Sequence, residues 1–588
     1  MKALSVIVGG ILLIGTTFAM MPSAVDTEFE LLAQQYVDEF PALSPVSATS
    51  LGDHRFDGKL NRVSSEARVR RAAFLRKYLE QLGRLDRDSL SRANQVDAAL
   101  LEQELRADLW RLEELKEWVW NPMRYTRLTG GALYGLLARD FAPLPERLGH
   151  VADRLEQFPR LLEQIRATLV PPRVPRIHAE TAVRQNRGVL SILDNMVKPH
   201  LDKLSQEDRR RLEEAMKMAR GAVDTHQRWL EEELLPKAAG NFRLGDEIYD
   251  KKLAFTLNSP LTRPQIRTRA ESELKRIRDE MYEIAKGVYK KEYEYTKFPD
   301  TPDEAYKQAI IRAALEVAYR ELPDSERIVE IATDQLREAT EFVRKAKLVT
   351  VPDDPIEIIV MPEFQRGIAL AYCDSPGPLD VGQKTFYAVA PLPADWTSEQ
   401  VQSYLREYNL YSLRNLTVHE AMPGHYLQLA HSNRYPSTLR AVLSSGVFVE
   451  GWAVYAEHLM VEQGYMDGNR LIELIVHKWY LRGIANALMD QAIHAGDMTR
   501  EEALELMIED TFQEEREAAT KWVRAQLTSA QLSTYFVGYL EHVDLRNEVE
   551  KAWGDDFSLK SYHDKLLSFG SPPVRFTRAL LLDLPIPN

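Results

Sequence analysis

Apolar residues recur at three- and four-residue spacing, between Arg, Glu and Asp, over 66–119, 205–235, 262–290, 302–321 and 325–347. That period lays one apolar stripe along a helix, so each stretch predicts an amphipathic helix. Start signals stand at several of these runs. Ser205-Gln-Glu-Asp208 offers a capping hydroxyl followed by acids. Thr262-Arg-Pro-Gln265, Thr301-Pro-Asp-Glu304, Thr397-Ser-Glu-Gln400 and Thr499-Arg-Glu-Glu502 read as capping boxes, in which two side chains satisfy free backbone donors of the first turn. VPPRVPR at 170–176 predicts a stiff connector, and 237–247 a loop. One region changes period. PIEIIVMP (355–362) and KTFYAVAP (384–391) carry the alternating, β-branched pattern of strands, with the turn DSPGPLDVG between them. The expected fold is mainly α, a multi-helix arrangement with a small antiparallel β-sheet beside a deep cleft. No internal repeat is found. Two regions of one continuous fold are expected: a helical cover over 25–350 and a region carrying the chemistry over 351–588.

Composition narrows the class. The chain has 588 residues, 45% apolar and 28% charged, as folded soluble proteins do. A net charge of −13 argues against a nucleic-acid partner, which needs a basic stripe. The single cysteine, Cys373, rules out an intrachain disulfide and any multi-cysteine metal cluster, so a metal must be held mainly by His and carboxylates. At the N-terminus, Lys2 precedes an almost wholly apolar run from Ala3 to Ala19, with Ala19 or Ala24 as the cleavage point. Residues 1–24 therefore read as an export signal, with an uncleaved anchor as the alternative. No cysteine lies near it for lipid attachment. No later stretch is long and apolar enough to span, so the mature body is expected in the periplasm or secreted, without stable membrane insertion.

Eight of the 13 histidines fall at or after residue 419. The key stretch is LTVHEAMPGHYLQ (416–428), expected late in a helix beginning near Ser398. His419-Glu420 resembles the opening of HExxH, where two histidines one turn apart bind zinc and the Glu activates water. Here the position four after His419 is Pro423, and the next histidine is His425. Six residues rotate a regular helix by about 240°, so both rings reach one ion only if Pro423 and Gly424 break the turn. Glu450, 25 residues after His425 in FVEGWAVYAEHL, is the third ligand candidate. Two His and one Glu leave a position for water, suit Zn2+ best and also admit manganese or cobalt. Glu420 is then the general base, and Glu457 a partner that orients a ligand imidazole.

HEAMPGHYLQ followed by EGWAVYAEHL resembles the bacterial domain-of-unknown-function 885 family, itself similar to the gluzincin metallopeptidases. The resemblance runs from FPALSPVSATSLGDHRFDGKL (40–60) through LGDEIYDKKL (244–253) and DQAIHAGDMTREEA (490–503) to YFVGYL (535–540) and SPPVRFTRALLL (571–582). It implies His419, His425 and Glu450 as zinc ligands and Glu420 as base, and it draws in Asp490. It implies oxyanion donors among Tyr535, Tyr539 and His494. Arg575 is a candidate for a substrate carboxylate, and Arg366 and Tyr372 are candidates to line the cleft. The implied activity is zinc-dependent hydrolysis of short peptides. The alternatives are hydrolysis of another amide, such as a cell-wall peptide or acyl-amino acid, and a non-catalytic periplasmic peptide-binding protein.

Overall fold

The computed structural model describes residues 23–362, 371–393 and 396–587. The expected export signal, apart from its last two residues, lies outside them, as does Arg366. Helices dominate, and they form where the apolar period predicts: Ser65–Leu82, Arg92–Trp110, Gln206–Trp229, Arg263–Glu292, Glu304–Ala318 and Ile328–Ala346. Capping follows the sequence signals at Thr262, Thr397 and Thr499, each with both hydrogen bonds of the box, and Ser205 accepts from the Asp208 N–H. The fourth box differs. Asp303, not Thr301, caps the Glu304 helix, because its carboxylate accepts from the Tyr306 N–H at 2.8 Å.

The sheet corrects an expectation. Three strands, β1 (Ile356–Val360), β2 (Ala371–Asp374) and β3 (Thr385–Val389), lie in the order β1-β3-β2. β2 pairs antiparallel with β3, Tyr372 opposite Ala388, but β1 runs parallel to β3, Ile356 opposite Thr385. The sheet is therefore mixed, not antiparallel. The long chain between β1 and β3 lets β3 return alongside β1 in the same direction, which a tight hairpin cannot do.

Two large cores hold the helices. One gathers buried apolar side chains between Val46 and Leu234. The larger runs from Tyr249 to Val574 and includes Phe448, Trp452, Leu481 and Phe536. Each such fully buried side chain contributes about 1.5–3 kcal/mol, so the apolar stripes decide which helices pack together. The helices from Asp246 to Ala346 thus share one core with the segment after 351. Arg440 ties the early helices to this body. It is fully buried, pairs with Asp97 and donates to the carbonyls of Ala93 (2.7 Å) and Phe569 (3.2 Å).

Candidate metal centre

The helix expected from Ser398 through the motif is two helices, Ser398–Glu407 and Leu410–Glu420. Asn409 divides them: its side-chain oxygen accepts from the N–H groups of Tyr411 (3.0 Å) and Ser412 (3.1 Å), starting a new helix. That helix delivers His419 and Glu420 at its end. Ala421 then leaves helical geometry, Met422-Pro423 is cis, and His425 opens a further helix, His425–Ser432. A β-carbon on Gly424 would lie 1.9 Å from the His419 carbonyl oxygen, so only glycine allows this close approach. The break swings His425 back beside His419. Their ring centroids are 4.7 Å apart and nearly perpendicular. Trp452 pins the turn, its indole N–H donating to the Pro423 carbonyl at 2.9 Å.

Glu450 comes from the helix Gly446–Glu462. Its Oε2 lies 3.7 Å from His419 Nε2 and 3.5 Å from His425 Nε2, and the three ligand atoms lie within 4.8 Å of one another. These separations exceed an ordinary charged hydrogen bond. A tetrahedral ion with bonds of about 2.0–2.2 Å sets its ligands roughly 3.3–3.6 Å apart; the 3.5 Å separation falls within that span and the 3.7 Å one just beyond it. The donor chemistry therefore fits zinc. Two turns after Glu450, Glu457 meets His419 Nδ1 at 2.6 Å and takes a hydrogen bond from Asn415 on its other oxygen, also 2.6 Å. His419 Nδ1–H is thus held, and Nε2 faces Glu450. The electrostatics agree. Burial alone would raise the Glu450 carboxyl, yet the facing imidazoles hold it well below the usual carboxylate range. Burial would lower His419, yet Glu450 and Glu457 hold it well above its ordinary value. The site draws positive charge, as protons or as a metal ion.

The three ligands line a cavity of about 1340 Å3 together with Glu420, Tyr372, Cys373 and Tyr535. Burial first, and then the nearby Glu420 charge, push the Cys373 thiol up, which leaves it an inert wall. Tyr535 sits on the helix Ser533–Trp553, its ring centroid 6.4 Å from that of His419. What brings it there is a glycine pair. A β-carbon on Gly538 would lie 2.2 Å from the Val447 carbonyl oxygen, and one on Gly451 would lie 2.3 Å from the Gly538 backbone. The two helices thus cross backbone to backbone, beside Glu450 on one and one turn from Tyr535 on the other. Asp490 anchors the start of the Tyr535 helix, accepting from Tyr249 Oη (2.9 Å), Ser533 Oγ (3.3 Å) and the Ala530 N–H (3.2 Å).

Three sequence candidates do not reach the cavity. Tyr539, one turn beyond Tyr535, packs its ring on Tyr480 and His458, at 4.4 and 4.7 Å. His494 is buried at the end of the helix Arg470–His494, with Nε2 at 2.8 Å from the Ala525 carbonyl and Nδ1 at 3.1 Å from that of Phe242. It is a brace between segments, not an oxyanion donor. Arg575 lies half-buried over the Phe576 ring, near Glu541, and burial lowers its pKa. Its sequence context said nothing of which side of its helix faces the core.

The sequence reading missed a cationic wall of the same cavity. Arg482, Arg516, Lys521 and Arg524 line it with one acid, Glu517. Arg524 donates to Tyr535 Oη at 3.2 Å. Burial, and the repulsion of Arg524 and Arg482 working against Glu517, push Lys521 down to about 7. In the sequence all but Arg482, which sits on the helix Arg470–His494, belong to the charged run Glu515–Leu527, which has the pattern of a solvated helix face. Arg184 is the lining residue contributed by the early helices.

Among solved structures, the chain is similar to a candidate lipoprotein of unknown function from Shewanella oneidensis. The identity is 33%, the TM-score 0.78, and the match covers 94% of this chain and 99% of that one. A candidate lipoprotein from Colwellia psychrerythraea, 18% identical, shares the fold over 95% of this chain and 99% of its own, with a TM-score of 0.76. No curated protein matches. Among the described residues no helix is long and apolar enough to cross a membrane. With residues 45–581 matched, nearly the whole described chain, this protein belongs to the family described as Bacterial protein of unknown function (DUF885).

Proposed function

We propose that the chain is a zinc-dependent hydrolase of short peptides, working outside the cytoplasm. The observation that carries this reading is the convergence of His419, His425 and Glu450 on one point across a broken helix, with Glu420 beside them in a large cavity. His419, His425 and Glu450 would hold the zinc, which when bound would supply Lewis acidity toward a water and the scissile carbonyl. Glu420 accepts the proton of the attacking water and returns it to the leaving amine nitrogen. Tyr535, whose ring stands beside that of His419, donates its hydroxyl hydrogen to the oxyanion that develops on the carbonyl oxygen. Glu457 holds the His419 ring in the tautomer that leaves Nε2 free to ligate. β2 is an outer strand of the sheet and contributes Ala371, Tyr372 and Cys373 to the cavity wall, an edge along which an extended peptide pairs. The apolar N-terminal run of the sequence supports export to the periplasm.

The test is Glu420→Gln. Turnover of a short-peptide library should fall about 10²–10⁴-fold, the range for loss of one general base, while zinc stoichiometry stays that of the unaltered protein. A variant that cleaves as fast as the parent would remove Glu420 from the chemistry and this mechanism with it.

A further inference from the structure

We infer that the cationic wall of Arg482, Lys521 and Arg524 is a subsite for a substrate's C-terminal carboxylate, so that peptides are cut near their C-terminal end. This rests on the hydrolase reading above for the position of the cut, though not for the binding. The wall belongs to the same cavity as the ligand triad. On a chain of net charge −13, three cations gathered round one acid are a local exception. Glu517 cannot balance them. It lies 3.5 Å from Arg482 and 3.6 Å from Lys521, longer than the 2.7–2.9 Å of a committed charged pair, and its other oxygen is taken by Tyr408 Oη at 3.1 Å. Lys521 is 7% exposed. A buried cation without a close partner is costly, and an anion that enters the cavity relieves that cost. Burial first, and then the neighbouring Arg524 and Arg482, lower the Lys521 pKa against the pull of Glu517.

Position selects the anion. Arg524 bonds Tyr535 Oη, and the Tyr535 ring stands 6.4 Å from that of His419, so the wall begins one side chain beyond the candidate metal site. An extended peptide advances about 3.3–3.6 Å per residue, which brings a carboxylate one or two residues past the scissile bond to these donors. Glu420, Glu450 and Glu457 line the same cavity, near enough that Arg524 feels the Glu450 charge and Arg482 that of Glu457. With a metal ion drawing on Glu450, the cations beside it are left to a substrate's anion, which orients the peptide.

The experiment is calorimetric binding to the full-length Glu420→Gln protein loaded with zinc. Three probes are used: an N-acetylated tripeptide with a free C-terminus, its C-terminal amide, and an amide carrying one glutamate side chain. The free acid should bind at least tenfold more tightly than the plain amide. Lys521→Met, close to Lys in shape, should erase most of that preference by weakening the acid and leaving the amide unchanged. Equal binding of acid and amide in the parent protein, or no binding of either, would overturn the inference whatever the variant does. Glutamate-amide binding as tight as the acid would also overturn it, by moving the recognised carboxylate to a side chain. Because turnover is not read, an unaltered protein that cleaves nothing would sink the hydrolase reading while leaving an acid preference standing. Cleavage without that preference would do the reverse.

Discussion

Gly538→Ala probes the crossing that sets Tyr535 against the ligands. The added β-carbon would stand 2.2 Å from the Val447 carbonyl oxygen and 2.7 Å from Gly451 Cα. To restore an ordinary contact the two helices must part by roughly 1 Å, and overpacking of that kind costs about 1–3 kcal/mol. Alanine regains about 0.5–1 kcal/mol of helix propensity over glycine, so the net expectation is a loss of about 1–2 kcal/mol. Chemistry should suffer more than stability, since a 1 Å misplacement of a reacting group costs on the order of 10²-fold. The assay pairs urea unfolding with kcat/KM on a cleaved peptide. Gly287→Ala, where a β-carbon meets nothing within 4 Å, is the control and should be neutral or stabilising. If Gly538→Ala matched that control in both measurements, the backbone contact would not be what sets the Tyr535 position.

Glu457→Gln should weaken zinc binding about 10–100-fold in a chelator competition, because His419 Nδ1 loses its carboxylate; unchanged affinity would make Glu457 a spectator. Tyr535→Phe should lower kcat about 10²–10³-fold with little change in KM, as removal of one oxyanion donor does. A rise in KM alone would make it a binding group instead. Burial pushes His178, His226, His542 and His563 down to about 4, 3, 4 and 4. Unfolded histidine protonates near 6.5, so between pH 6.5 and 4 the unfolded chain binds more protons, and stability present above 6.5 is lost as pH falls. Glu104 and Glu541, raised to about 7, and the raised Asp97 and Asp490 act in the opposite sense, while His458, also lowered by burial, adds a fifth histidine to the four. Urea midpoints should therefore drop from pH 7 to pH 5, and a midpoint that rises would refute this balance.

Much of the helical architecture is legible from local pattern, because an apolar stripe and a capping hydroxyl act within one turn of the residues that carry them. Thr262, Thr397 and Thr499 cap their helices as their neighbours dictate. The ligand candidates were legible for a related reason. Pro423 and Gly424 between two histidines signal a broken turn, and the identity of the donors limits the ion. Tertiary structure decided the rest. Tyr535 and Tyr539 look alike on one helix, and only the crossing at Gly451 and Gly538 turns the first toward His419 and the second toward Tyr480. His494 is expected among the oxyanion donors and is a structural brace, while Lys521, which no motif singles out, lines the cavity. Burial against the Phe242 and Ala525 carbonyls and exposure to the cavity are long-range outcomes of packing. The direction of β1 was equally invisible, since a strand's own residues encode its faces and not its neighbour's heading. Local sequence thus determined which elements form and which atoms are able to ligate, because those depend on neighbours along the chain. Which side chains meet was settled by the apolar faces of distant segments competing to be buried.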